Sequence, residues 1–171
     1  MTQPLNAAAI VEILNRHGVR FIVIGAFAAI AQHAPIPATR DIDLTPDSSA
    51  KNLCHLAAAL KELGARIRTD AVVEGLPFDH DGRSLAASLV WNLICPFGEF
   101  DISFMPSGIA GGYEELALRA HIVRVDNVEV MVADLSDVIR SKEAAGRPKD
   151  LQVLPILYRF DRQLRENDPK S

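Results

Sequence analysis

Cysteine is scarce: Cys54 and Cys95 are the only two in 171 residues, and they stand far apart. That excludes a disulfide framework and a CxxC zinc knuckle, and it fits a reducing cytoplasm with both thiols as small core residues. The five histidines are scattered, with no HExxH, so a histidine-built zinc site is not expected. A surplus of positive charge is missing too. Lys and Arg number 18 against 22 Asp and Glu, a net charge of −4, which excludes a broadly basic nucleic-acid binder but not a local basic site. The longest apolar run, Phe21 to Ala31, is too short to cross a bilayer. No basic segment precedes an apolar one at the start, so no secretory signal is expected. Neither GxGxxG nor GxxxxGK[ST] occurs. What is present is ordinary globular material, 49% hydrophobic and 23% charged, enough for one sizeable core.

Periodicity predicts a helix from Leu5 to His17 with Asn6 as cap and Gly18 as stop, then a buried strand, Arg20–Ile24, ended by Gly25. A short helix, Ala26–His33, and a Pro35–Pro37 loop follow. Thr39–Thr45 alternates as a half-buried strand. A leucine-striped helix runs from Ser48 or Ser49 to Leu63 and leads to a short strand at Ala65–Arg68. Residues 69 to 83 read as loop or hairpin, with Asp79 and Asp81 as turn residues. Ser88–Cys95 and Glu99–Met105 read as an antiparallel pair, Trp91 being a core residue. A helix near Tyr113–Arg119 precedes two short strands, Ile122–Val125 and Val128–Val132. Helices over Leu135–Ala145 and Lys149–Arg165 complete the chain, Pro155 kinking or restarting the last one. This order predicts an α/β (α+β) domain, a mixed sheet flanked by helices with a helical C-terminal portion. The core is assigned to 1–133 and the packed C-terminal helices to 134–171.

The informative segment is Thr39-Arg40-Asp41-Ile42-Asp43-Leu44-Thr45. In a strand, Asp41 and Asp43 share one face and Ile42 and Leu44 the other, the two carboxylates roughly 6–7 Å apart. Like charges so placed resist joint ionisation unless a cation lies between them. A solvated strand face would carry the same pattern. Glu99-Phe100-Asp101-Ile102-Ser103-Phe104 has the same design, however. If both strands share a sheet, Asp101 joins Asp41 and Asp43, and three carboxylates can hold two Mg²⁺ about 4 Å apart. Upstream, Gly25-Ala26 opens a helix after a strand, which is either a plain turn or a place for a phosphate to meet backbone amides.

Ile24-Gly25-Ala26, then Asp41-Ile42-Asp43 fifteen residues on, then Asp101 on a later strand, together resemble the polymerase-beta-like nucleotidyltransferase superfamily. Thr39-Arg40-Asp41-Ile42-Asp43-Leu44, with Leu135-Ser136-Asp137-Val138-Ile139 to Lys142 and Arg147-Pro148-Lys149-Asp150-Leu151, is most similar to its small bacterial toxin and abortive-infection members. The resemblance spans roughly residues 5 to 160. It implies the nucleotidyltransferase fold, an NTP substrate, Mg²⁺ (or Mn²⁺) on Asp41, Asp43 and Asp101, and transfer of a nucleoside monophosphate to RNA, tRNA or protein. It also implies an antitoxin as partner. Ala26 departs from the pattern, which has Gly or Ser there, so a phosphate-binding hydroxyl is missing while the backbone amide remains.

Lys142 shares the inward stripe of Leu135, Val138 and Ile139. It either snorkels outward or brings a charge to the triphosphate. Asp150 suits the first turn of the last helix electrostatically, or orients Lys142 or a nucleotide amine. Arg40 points away from the aspartates in a regular strand, but can turn towards phosphates if the strand begins only at Asp41. The expected nucleotide-binding set is therefore Gly25, Ala26, Arg40, Lys142 and Asp150. Two other readings stay open: an antibiotic-modifying nucleotidyltransferase, and a degenerate module that binds a nucleotide or a partner without turnover. Neither reading involves a membrane.

Overall fold

The computed structural model describes residues 3–170. Their elements run α1 (Ala7–Arg16), β1 (Phe21–Ile24), α2 (Gly25–Ala31), β2 (Asp41–Pro46), α3 (Ala50–Leu63), β3 (Arg66–Ile67) and α4 (Gly82–Ala86). They continue β4 (Val90–Cys95), β5 (Gly98–Ser103), α5 (Gly112–Ala117), β6 (His121–Val125), β7 (Val128–Val132), α6 (Leu135–Ala145) and α7 (Pro148–Glu166). The mixed sheet flanked by helices is as the patterning predicts.

Local chemistry sets most boundaries. Asn6 caps α1 by accepting from the Ala9 amide, and Ile10, Val11 and Leu14 bury its apolar stripe. Ser49 caps α3. Leu53, Leu56, Leu60 and Leu63 face the core, and Gly64 closes the helix in the left-handed conformation, φ 63°. Asp81 is a cap, accepting from the Ser84 amide at the start of α4, a helix the loop reading of 69–83 did not contain. The last helix runs through Pro155 as one element, so the proline does not mark a new start. It begins with Pro148 in its first turn, where a missing N–H costs nothing.

The sheet order is β3-β4-β5-β2-β1-β7-β6. β4 and β5 pair antiparallel across the Pro96–Phe97 link, as expected. β2 and β5 pair in parallel, and so do β1 and β7, while β1 and β2 pair antiparallel. The chain thus lays β2 at the centre of the sheet between β1, the strand before it, and β5, which comes three strands later. Ile42, Leu44, Phe100 and Ile102 point to one face and join a continuous core with the leucines of α3. α2 packs on β1, β2 and α6, and α6 packs on α7. Of the segments between β2 and β5, α3 covers that apolar face while β3 and β4 extend the sheet.

Asn52 fixes the alignment of β1 and β2 from below. Its buried side chain accepts from the Arg20 amide at 2.7 Å and donates to the Arg20 and Asp47 carbonyls at 2.9 and 2.7 Å. These backbone groups lie just before β1 and just after β2, where the Asp47 amide still donates to the Arg20 carbonyl at 3.0 Å and Asn52 supplies the remaining partners. Truncation to Asn52→Ala removes all three bonds, takes the side-chain partner from the Arg20 amide and the Asp47 carbonyl, and is expected to cost about 1–3 kcal/mol, read as a lower denaturant midpoint at unchanged m-value.

Candidate functional site

The site begins with strand register. β2 and β5 run in parallel so that Asp43 lies beside Asp101, and Asp41 lies on the same face two residues earlier. Ile24 at the end of β1 sits opposite Asp43. Gly25 therefore meets that carboxylate. Its φ is +76°, and a Cβ built there would lie 2.2 Å from Asp43 Oδ2. From sequence the glycine is either part of a plain turn or room for a phosphate to approach the backbone. In the structure, the group it admits is Asp43 itself.

One carboxylate oxygen from each of Asp41, Asp43 and Asp101 lies within 4.8 Å of the other two. Ligands of an octahedral Mg²⁺ sit about 3 to 4.2 Å apart, so three hard oxygen donors at this spacing suit such an ion after small side-chain rotations. The electrostatics agree. Burial, followed by the Asp41 and Asp101 charges, pushes the Asp43 carboxyl up to about 7, against an opposing pull from Lys142 and Lys149. Burial also raises Asp101, and Arg68 offsets part of that rise. The cluster carries more negative charge than its surroundings compensate, which is the condition a divalent cation relieves.

Neighbouring side chains hold these acids in place. The Thr39 hydroxyl donates to Asp41 Oδ1 at 2.8 Å. Arg68 donates to Asp101 Oδ1 at 2.8 Å and to Glu99 Oε2 at 3.3 Å. The sequence carries no signal for Arg68. It depends on the two-residue strand β3 pairing with β4, a contact made across a long loop.

A cleft of about 540 Å³ opens over the carboxylates. Gly25 and Ala26 edge it, and Lys142, Arg147 and Lys149 line its helical wall. Lys142 is buried at 8% exposure and bonded to Asp150 Oδ1 at 3.2 Å. It does not snorkel away. Two expected nucleotide-binding residues stand elsewhere. Arg40 is exposed and lines a separate hollow with Pro4, Leu5, Thr39 and Glu99, because the strand begins only at Asp41 and the residue before it is free to diverge. Asp150 is fully buried and does not line the cleft. Its oxygens are taken up by Lys142, by the Arg147 guanidinium at 2.7 Å and by the Arg147 amide at 3.3 Å. Burial alone would raise its carboxyl, but Arg147 and Lys142 hold it below the ordinary value. Asp150 is placed to fix Lys142 rather than to touch a ligand.

Similarity to known proteins lies in the fold. A solved structure of a candidate nucleotidyltransferase from Thermotoga maritima superimposes with a TM-score of 0.53 at 14% sequence identity, covering 93% of this chain and 90% of that one. The chain has the nucleotidyltransferase fold. No family model and no curated protein sequence matches it. Among the described residues, no helix is long and apolar enough to cross a membrane.

Two outcomes follow from this geometry. A carboxyl raised from 3.8 to about 7 binds its proton more tightly in the folded state. Its contribution to stability is thus full below the ordinary value and is lost as pH rises towards 7. Without divalent metal, Asp43→Asn should raise Tm by about 3 °C or more at pH 8 and leave it nearly unchanged at pH 4, as thermal melts across that range would show. Gly25→Ala forces both the backbone and Asp43 to move. It should lower Tm and weaken Mn²⁺ binding at least tenfold, measured by electron paramagnetic resonance titration.

Proposed function

We propose that this chain is a Mg²⁺-dependent nucleotidyltransferase that moves a nucleoside monophosphate from an NTP to an acceptor hydroxyl. The carrying observation is the convergence of Asp41, Asp43 and Asp101 from two parallel strands onto one point of the cleft. In this reading Asp41, Asp43 and Asp101 hold the metal, whose charge would stabilise the α-phosphate and the departing pyrophosphate. The acceptor oxygen bonds to the α-phosphorus as the bridge between α- and β-phosphorus breaks, and pyrophosphate leaves. Asp101, on the β5 side of the cluster, takes the proton of the incoming hydroxyl in this reading.

Lys142 and Lys149 supply the positive charge for the triphosphate. Asp150 and Arg147 keep Lys142 extended towards the carboxylates, so its charge is fixed before substrate arrives. Gly25 and Ala26 form the backbone edge of the phosphate region, and the hydroxyl that Ala26 lacks is replaced there by nothing but main chain. An intact acid cluster supports turnover over the degenerate-module reading, since a binding-only site has no need for three converging carboxylates that repel one another. The toxin-like role and an antitoxin partner rest on the sequence resemblance.

The test is release of pyrophosphate and incorporation of α-³²P-labelled nucleotide in the presence of Mg²⁺ or Mn²⁺. Asp41→Asn, Asp43→Asn and Asp101→Asn should each lower transfer by about 10³-fold or more. Lys149→Ala should chiefly raise the KM for NTP. Wild-type protein that neither binds NTP with metal nor releases pyrophosphate would overturn the proposal.

A further inference from the structure

The three converging acids differ in how they meet positive charge. Asp41 accepts from the Thr39 hydroxyl, and Asp43 feels Lys142 and Lys149 through space. Asp101 is in an ion pair. Among the described residues, Arg68 is the one cation in salt-bridge contact with any of the three. A guanidinium stays charged throughout the working pH range, so its charge is a fixed part of the site.

Register explains how it gets there. Asp101 on β5 is paired with Asn92 on β4, and the Asn92 carbonyl accepts from the Arg68 amide at 2.8 Å. Arg68 therefore starts two strands away from Asp101, about 10 Å by the spacing of strands, and its long side chain reaches across β4. The guanidinium is shared between two acids. It donates to Asp101 Oδ1 at 2.8 Å and to Glu99 Oε2 at 3.3 Å. Glu99 lies beside Asp41 in the β2–β5 register, two residues before Asp101 and on the same face. Its oxygens do not join the converging three. The side chains of Arg68, Glu99 and Asp101 are 26%, 22% and 20% exposed, so water screens their charges only in part.

Two consequences follow for a divalent cation at the acids. Arg68 already holds an oxygen of Asp101, and its fixed positive charge opposes a second cation on the same carboxylate. Glu99 gives the guanidinium another seat, so Arg68 can give up Asp101 and still face an acid. The cations of the helical wall are placed differently. Lys142 and Arg147 are both bonded to Asp150, a carboxylate outside the cluster.

We propose that Arg68 is a resident counter-ion of the acid cluster, a positioning residue that competes with the divalent cation for Asp101 and yields that carboxylate by moving on to Glu99. This rests on the metal-dependent reading of the same site. Before metal arrives, Arg68 holds Asp101 in place and offsets part of the repulsion among the acids. Once Asp101 is given to the metal, Arg68 pairs with Glu99 alone. Metal affinity is thereby held below what three free carboxylates would reach, and a half-buried cluster is never left without a cation.

The test is a Mn²⁺ titration of the full chain followed by electron paramagnetic resonance, without nucleotide. Arg68→Gln and Arg68→Met keep most of the stem and remove the charge. Each should bind Mn²⁺ at least tenfold tighter than wild type, while melting lower in the absence of metal. Arg68→Lys keeps the charge and should stay within threefold of wild type. Glu99→Gln removes the second seat and should weaken Mn²⁺ binding at least threefold, an effect that shrinks to less than twofold in the Arg68→Gln background. An ion pair that merely braces Asp101 predicts the opposite for the uncharged variants, weaker Mn²⁺ binding. That result, or an unchanged affinity, overturns the inference and leaves metal dependence standing. Equal effects of Glu99→Gln in both backgrounds overturn the exchange between the two acids. Wild type that binds Mn²⁺ no better than Asp43→Asn overturns the metal reading and this inference together.

Discussion

Three like charges held close together are the constraint around which this molecule is arranged. Asp41, Asp43 and Asp101 repel one another, and half-burial makes their joint ionisation costlier. Nothing in their own chemistry would bring them together. The parallel pairing of β2 with β5 imposes the arrangement, and the apolar faces of both strands stabilise that pairing. Ile42, Leu44, Phe100 and Ile102 are fully or almost fully buried, and each drives its strand into the same core. The hydrophobic side of the sheet thus sustains an unfavourable electrostatic arrangement on its polar side.

The surroundings of the cluster manage that repulsion without cancelling it. Arg68 ties Asp101, Thr39 steadies Asp41, and Lys142 faces Asp43 from across the cleft. Each of these partners is itself held. Lys142 is bonded to a buried Asp150, which Arg147 also grips. A preset charge of this kind does not have to be reorganised when a polyanion binds, which is where fixed dipoles and ions gain their effect in a partly dry site. Gly25 fits the same logic. The absence of one Cβ lets a carboxylate rest against a strand end, so the backbone and the acid share a space that any other residue would fill.

Charge is divided as well as concentrated. The helical wall carries the cations and the β4–β5 wall carries almost none. One cleft therefore has a cationic side and a side without cations. The net charge of −4 conceals this division, because an average over the whole chain says nothing about which wall a lysine stands on.

Much of this was legible before any coordinates. The alternation in Asp41–Leu44 and Phe100–Phe104 names the acids and their common face, since a period of two is a local property of extended backbone. Helix caps at Asn6 and Ser49 follow equally local rules, and Lys142 reads correctly as inward-facing from its place on the stripe of Leu135, Val138 and Ile139. Arg68, the displacement of Arg40 and the buried role of Asp150 could not be read in this way. Arg68 reaches Asp101 only because β3 returns to pair with β4 over an intervening loop. Arg40 diverges because the strand starts one residue after it, and Asp150 is consumed by two cations from neighbouring turns. Sequence by itself determined which residues are acidic, which face each strand presents and where helices begin. Only the tertiary structure decided which acids meet, because strand order and register are set by burial summed over the whole sheet, a quantity no short window of residues contains.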